Sequence, residues 1–300
     1  MKKWVIRPIL ILLGLAVILI IVTIGGYRLA NQTNGSLVSS GEKRTYLLYV
    51  PNSYDPAVPT ALVISLHGFV QWPAHLMQMS GWNDLADLYG FIVVYPSGTG
   101  FPLRWRATSS PDIDSGLSHD VQFIQDLIDQ LASEYNLDSE RIYVNGMSNG
   151  GGMSFALSCQ LSERVAAIGF VSGAYLYSWD DCTPSQAIPA IVFHGTEDAI
   201  VPFQGGPSRA FDLPFPNIPD WINTLARRNG CNQASQEISV SRQVSGLQYK
   251  DCEAEVVFYS ITGGGHTWPG GQPLPEFIAG HTNQDVDATR LMWEFFQQHP

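Results

Sequence analysis

The sequence predicts an α/β fold with a mostly parallel central sheet and helices on both of its faces. Three observations carry that expectation. Short apolar runs alternate with helix-length amphipathic segments along most of the chain. Runs such as Thr60-Ala61-Leu62-Val63-Ile64-Ser65-Leu66 are almost continuously apolar, as in strands covered on both sides. One strand-like run, Arg141-Ile142-Tyr143-Val144-Asn145, leads through Gly146-Met147-Ser148-Asn149-Gly150 into a helix-like segment at 151–157.

The elements follow in order. Residues 44–50 read as a strand, followed by strands at 60–66 and 91–95. Ser118 is placed as the cap of a helix reaching about 135, because Val121, Ile124, Leu127, Ile128 and Leu131 recur at helical spacing and would face the sheet. Further strands are expected at 141–144, 166–170, 190–194 and 255–261, with helices near 220–228 and 285–298. No internal repeat or low-complexity block divides them, so residues 41–300 are read as one catalytic domain.

The N-terminus has a different character. Lys2, Lys3 and Arg7 precede an uncharged run at 8–27 that is long enough to cross a bilayer. The run exceeds the usual signal-peptide core and no good small-x-small cleavage site follows it, so residues 1–27 are read as a signal anchor in preference to a cleaved signal peptide. The positive flank would keep the N-terminus inside and export the rest. Residues 28–40, mostly polar, are read as a tether. Four cysteines fit an oxidising compartment, and the pairs Cys159–Cys182 and Cys231–Cys252 are favoured because each closes a modest loop. No C-x-x-C spacing exists, so zinc or thiol redox chemistry is not suggested, and no metal or organic cofactor is expected. A net charge of −11 without a basic patch speaks against nucleic acid as a partner. Contact with a membrane is expected only through the N-terminal segment.

The chemistry centres on Ser148. A strand–turn–helix context turns the weak pattern G-x-S-x-G into a nucleophile elbow, with the hydroxyl pushed out above the sheet and a helix N-terminus beneath it. A serine hydroxyl needs a base, and the base needs an orienting carboxylate. Asp198 follows the strand at 190–194 and is preferred to its neighbour Glu197 as that acid. His266 lies among glycines after the strand at 255–261 and is the preferred base, with His281 the runner-up. His75 and His119 precede Ser148, His299 lies at the chain end, and His194 is read as a structural residue closing its strand. The backbone N–H groups of Asn149 and Phe69 are the expected oxyanion donors.

At these motifs the chain resembles a known family. His67-Gly68, Gly146-Met147-Ser148-Asn149-Gly150-Gly151, His194-Gly195-Thr196-x-Asp198-x-x-Val201-Pro202 and Gly264-Gly265-His266-Thr267-Trp268-Pro269-Gly270 are similar to those of the esterases grouped with polyhydroxybutyrate depolymerases and feruloyl esterases. So are Ser80-Gly81-Trp82-Asn83, the run Phe91 through Pro96, and Asn229-Gly230-Cys231 before a later cysteine. The resemblance runs from about residue 42 to the end. It implies a secreted α/β-hydrolase that cleaves carboxylic esters, with Ser148, Asp198 and His266 as its triad. It also implies that Trp268 lines the acyl pocket. The stretch at 101–117, with Arg104-Trp105-Arg106, departs from the family pattern and is expected to border the substrate, which marks Trp105 as a second substrate-binding candidate.

The expected function is therefore an exported serine carboxylic ester hydrolase. Its expected substrates are feruloyl or acetyl esters of polysaccharide fragments, or hydroxyalkanoate oligomers or polymer. The alternatives are a cell-envelope acyltransferase of the same fold and a non-catalytic glycan-binding envelope protein.

Overall fold

A computed structural model describes residues 32–110, 116–232 and 234–300. The anchor read at 1–27 lies outside the described residues. Among those residues a ten-stranded sheet has the spatial order β1 (Gly35–Ser39), β2 (Glu42–Tyr49), β4 (Ile92–Pro96), β3 (Thr60–Leu66), β5 (Leu137–Met147), β6 (Ala167–Val171), β7 (Ala190–Gly195), β10 (Val256–Ile261), β9 (Val244–Tyr249), β8 (Gln236–Ser239). The six strands from β4 to β10 run parallel, and an antiparallel pair closes each edge. This is the α/β-hydrolase fold. Seven helices are described: α1 (Pro73–Ser80), α2 (Trp82–Tyr89), α3 (Leu117–Glu134), α4 (Asn149–Gln160), α5 (Ile218–Arg228), α6 (Glu276–Ala279) and α7 (Ala288–Phe296).

The two-residue period of a strand distributes the core over both faces of the sheet. In β3, Leu62, Ile64 and Leu66 join one cluster, while Ala61 and Val63 join the other. The first cluster takes Phe123, Ile124, Leu127, Ile128 and Leu131 from α3, Phe155 from α4 and Trp221 from α5. The second takes Leu76, Trp82 and Ala86 from α1 and α2, and Met292, Trp293 and Phe296 from α7. The helix expected to be capped by Ser118 starts two residues earlier, at Leu117. Its N-cap is Gly116, at φ 105°, a backbone conformation that favours glycine over serine.

Part of the segment read as a tether is sheet. Gly35–Ser39 pairs antiparallel with β2 through a turn at Ser40 and Gly41, both at positive φ, as a two-residue hairpin requires. A buried ion pair joins β2 to α3, with Arg44 2.9 Å from Asp120. Disulfides link Cys159 to Cys182 and Cys231 to Cys252, in the pairing favoured from the sequence. No helix among the described residues is long and apolar enough to cross a membrane.

Candidate active site

Ser148 follows β5, Asp198 follows β7 and His266 follows β10, so parallel strands bring all three to the carboxyl edge of the sheet. Open α/β sheets present their reactive groups at that edge. Ser148 adopts φ 56° and ψ −121°, a conformation that side chains rarely hold. Its N–H donates to Val171 and its carbonyl accepts from Gly152 and Ala174, at 2.9–3.0 Å, which fixes the turn against β6. Two glycines make the turn possible. A Cβ on Gly146 would collide with the Gly150 backbone, and one on Gly150 would collide with the carbonyls of Leu66 and His67. Ser148 is the N-cap of α4, whose first amide belongs to Asn149.

Asp198 and His266 meet directly. The His266 Nδ1–H donates to Asp198 Oδ2 at 2.8 Å, and the amides of Ile200 and Val201 donate to Oδ1 at 2.9 and 2.8 Å. Both side chains are buried. Burial alone would raise the Asp198 pKa. The charge and hydrogen bond of His266, the nearby His194 and the Val201 N–H outweigh it and hold the carboxyl below its ordinary value. Its rival Glu197 is exposed. His281 is also exposed and sits 3.4 Å from Glu276, away from Asp198, while His299 pairs with Glu255.

The loop after β3 is pinned in detail. The Gly98 N–H donates to His67 Nε2 at 2.9 Å, so the ring proton sits on Nδ1 and is donated to the Gly68 carbonyl at 2.8 Å. Complete burial lowers the His67 pKa to about 4, and the ring is therefore neutral. The amides of Gly68, Val70 and Gln71 go to Gln71 Oε1, the Leu103 carbonyl and the Gly68 carbonyl. Trp105 ties this loop to α4. Its indole N–H donates to the His67 carbonyl at 3.0 Å, and its backbone forms a two-way pair with the Asn149 side chain at 2.6 and 2.9 Å. The next amide, that of Arg106, donates to Asp120, so the buried ion pair also anchors this loop.

A cavity of about 390 Å³ opens beside Ser148. Phe69, Trp105, Leu176, Ile200, Phe211 and Phe215 give it a mainly apolar wall. Trp105 thus borders the space next to the serine. Trp268 does not line it. The Trp268 ring is fully buried in the second core cluster, with its indole N–H donating to Thr289 Oγ1 at 2.8 Å. Thr289 belongs to α7, so this bond holds the indole against that helix in the core. The sequence reading missed Phe211, Leu213 and Phe215. Their signal was visible as apolar residues spaced by two within an otherwise polar loop.

Residues 44–180 match the family model described as esterase PHB depolymerase. Feruloyl esterase C of Emericella nidulans is 26% identical over 279 residues, covering 89% of this chain and 85% of the relative. The chain is a carboxylic ester hydrolase, similar over these residues to the polyhydroxybutyrate depolymerase and feruloyl esterase-like α/β-hydrolases. The putative esterase NocK of Nocardia uniformis is likewise 26% identical, over 89% of this chain and 83% of its own length. A bifunctional acetylxylan esterase/xylanase of Neocallimastix patriciarum is 33% identical over 164 residues, 55% of this chain, but the match spans only 23% of that protein. A ferulic acid esterase from Anaeromyces mucronatus, solved with ferulic acid, shares the fold with a TM-score of 0.56 at 14% identity, over 89% of this chain and 90% of that one. In this esterase the serine, acid and histidine candidates follow β5, β7 and β10 at one sheet edge, in the chain order serine, acid, histidine.

Proposed function

We propose that the protein is an exported serine hydrolase that cleaves carboxylic esters through an acyl-enzyme formed on Ser148. The observation that carries this reading is the buried Asp198–His266 pair at the same sheet edge as the strained Ser148 turn, beside an apolar cavity. Ser148 Oγ attacks the ester carbonyl and His266 takes its proton through Nε2. Asp198 holds the opposite ring nitrogen, fixing the tautomer and stabilising the imidazolium that forms. The tetrahedral oxyanion accepts from the N–H groups of Asn149 and Phe69. Commitment of the Gly68, Val70 and Gln71 amides elsewhere supports Phe69 as the donor of that loop. One such donor is worth about 3 kcal/mol of barrier. His266 then protonates the leaving alcohol, and water repeats the sequence on the acyl-enzyme.

The acyl group lies in the cavity bounded by Phe69, Trp105, Phe211 and Phe215. That wall suits an uncharged aromatic or short hydroxyalkanoyl group. The names of the relatives, feruloyl and acetylxylan esterases, point to acyl esters of polysaccharide fragments. Two disulfides support work outside the cytoplasm. The test is hydrolysis of methyl ferulate beside a 3-hydroxybutyrate dimer ester, with Ser148→Ala as control. Turnover of at least one ester is expected, with loss of at least about 10³-fold in kcat for the variant. Full hydrolysis by Ser148→Ala would sink the assignment.

A further inference from the structure

We infer that His194 is a positioning residue for the acid, a role that rests on the reading of Asp198 as the partner of His266. Asp198 Oδ2 lies between two imidazoles. His266 Nδ1 is 2.8 Å from it on one side, and His194 Nε2 is 3.4 Å from it on the other. His194 Nε2 is also 2.9 Å from the Val201 carbonyl. A carbonyl only accepts, so Nε2 must carry the ring proton. That N–H is donated to Val201 O, with Asp198 Oδ2 3.4 Å from the same nitrogen.

The other nitrogen, Nδ1, is buried and has no hydrogen-bond partner. A proton there would be an unsatisfied buried donor beside an already protonated ring, which costs free energy. Complete burial pushes the ring toward its neutral form in the same sense. His194 is thus a neutral donor of fixed tautomer.

The contact closes a small circuit. His194 is the penultimate residue of β7, and Val201 lies just beyond the acid. The His194–Val201 bond joins the strand to the far end of the 198–201 turn. The Val201 and Ile200 amides return to Asp198 Oδ1. Every anchor of the carboxylate other than His266 therefore comes from this turn or from His194. Without the imidazole, the Val201 carbonyl loses its buried donor, Oδ2 loses its second neighbour, and the turn whose amides hold Oδ1 is no longer tied to β7, so the carboxylate shifts relative to His266. Binding of the ester would be untouched, because Val201 and Ile200 stay in the cavity wall. The cost falls on the step in which His266 becomes charged.

Three variants are compared on the full chain, with Asp198→Asn run alongside. A glutamine amide reaches roughly as far as Nε2, whereas an asparagine amide stops short. Active sites are titrated with a fluorophosphonate so that kcat is expressed per competent serine. His194→Asn and His194→Leu are expected to lower kcat per site by about 10-fold to 100-fold with KM within about twofold, as for a misplaced catalytic group. His194→Gln is expected to recover most of the loss. Wild-type kcat per site in the asparagine and leucine variants would overturn the inference, as would an equal loss in all three. A second readout needs no variant. The wild-type protein should show an exchange-protected imidazole N–H of a neutral His194 that shifts when a fluorophosphonate occupies Ser148, and an unshifted signal overturns the inference too. Wild-type kcat in Asp198→Asn would instead remove the assignment of Asp198 as the acid, on which the inference stands.

Discussion

Ser148 holds a conformation that costs about 1–3 kcal/mol, and its neighbours over-determine it. Three backbone hydrogen bonds and two glycines that admit no side chain leave the turn no alternative. Such a residue was legible from sequence because G-x-S-x-G forces the chemistry and the glycines together. The Asp198–His266 contact was legible because each residue follows a strand, Asp198 just past 190–194 and His266 among glycines past 255–261. Trp268 was misassigned because a tryptophan between Thr267 and Pro269 gives no hint of which way its ring turns. The structure turns it into the core, so Trp268→Phe should lower unfolding free energy by about 1–3 kcal/mol through the lost bond to Thr289, with kcat/KM within about twofold. Urea unfolding and steady-state kinetics on the same variant check both halves. His67 carries a pH signature. Its folded pKa of about 4 lies below the value near 6.5 expected in the unfolded chain, so the unfolded state binds the extra proton between those values. Stability is then complete above pH 6.5 and falls as the pH drops toward 4, by roughly 3 kcal/mol from this residue. His67→Gln should lose correspondingly less stability over that window when unfolding is measured at each pH.

Among the elements, the parallel strands were the easiest to read, because burial on both faces leaves continuous apolar runs in β3, β4 and β7. The edge strand β1 was hidden by its composition. Gly-Ser-Leu-Val-Ser has only two apolar residues, and only one face of the hairpin meets the core. Helices α1 and α2 were also missed, although Pro73 opens the first and glycines at positive φ, Gly81 and Gly90, close both. Eight residues each is too short for helical periodicity to stand out. The contact between β2 and α3 depends on a charge pair that no local pattern announces. Arg44 is buried against Asp120, donates to the Ser97 carbonyl and sits 4.0 Å above the Phe123 ring. Burial lowers the Arg44 pKa and raises that of Asp120, which marks how fully both are desolvated. Removing one partner strands the other, so Asp120→Asn should cost about 3–5 kcal/mol. The double variant Arg44→Met with Asp120→Leu should cost less than Asp120→Asn alone. A double-mutant cycle by chemical denaturation tests this, and simple additivity would contradict it.

For the whole molecule, one sheet sets both the stability and the site. The apolar cavity is walled by segments after β3, β4, β6 and β7, so its shape depends on loops that sequence periodicity does not describe. That is why the reaction class could be read from the chain, whereas the apolar spacing of Phe211 and Phe215 did not say that they meet the serine's cavity. The two disulfides pack against the first core cluster, which also holds Trp105 and Phe215, and each closes a loop of just over twenty residues. By loop-closure entropy each is worth about 3 kcal/mol. Reduction should lower the midpoint of thermal unfolding by several degrees, and an unchanged midpoint in reductant would contradict that account. The central claim concerns Ser148, and intact-protein mass spectrometry after a timed pulse of fluorophosphonate tests it most directly. A single adduct is predicted on the peptide carrying Ser148, absent from Ser148→Ala and formed at least about 100-fold more slowly in His266→Ala. An adduct on another residue, or equal labelling of Ser148→Ala, would contradict it.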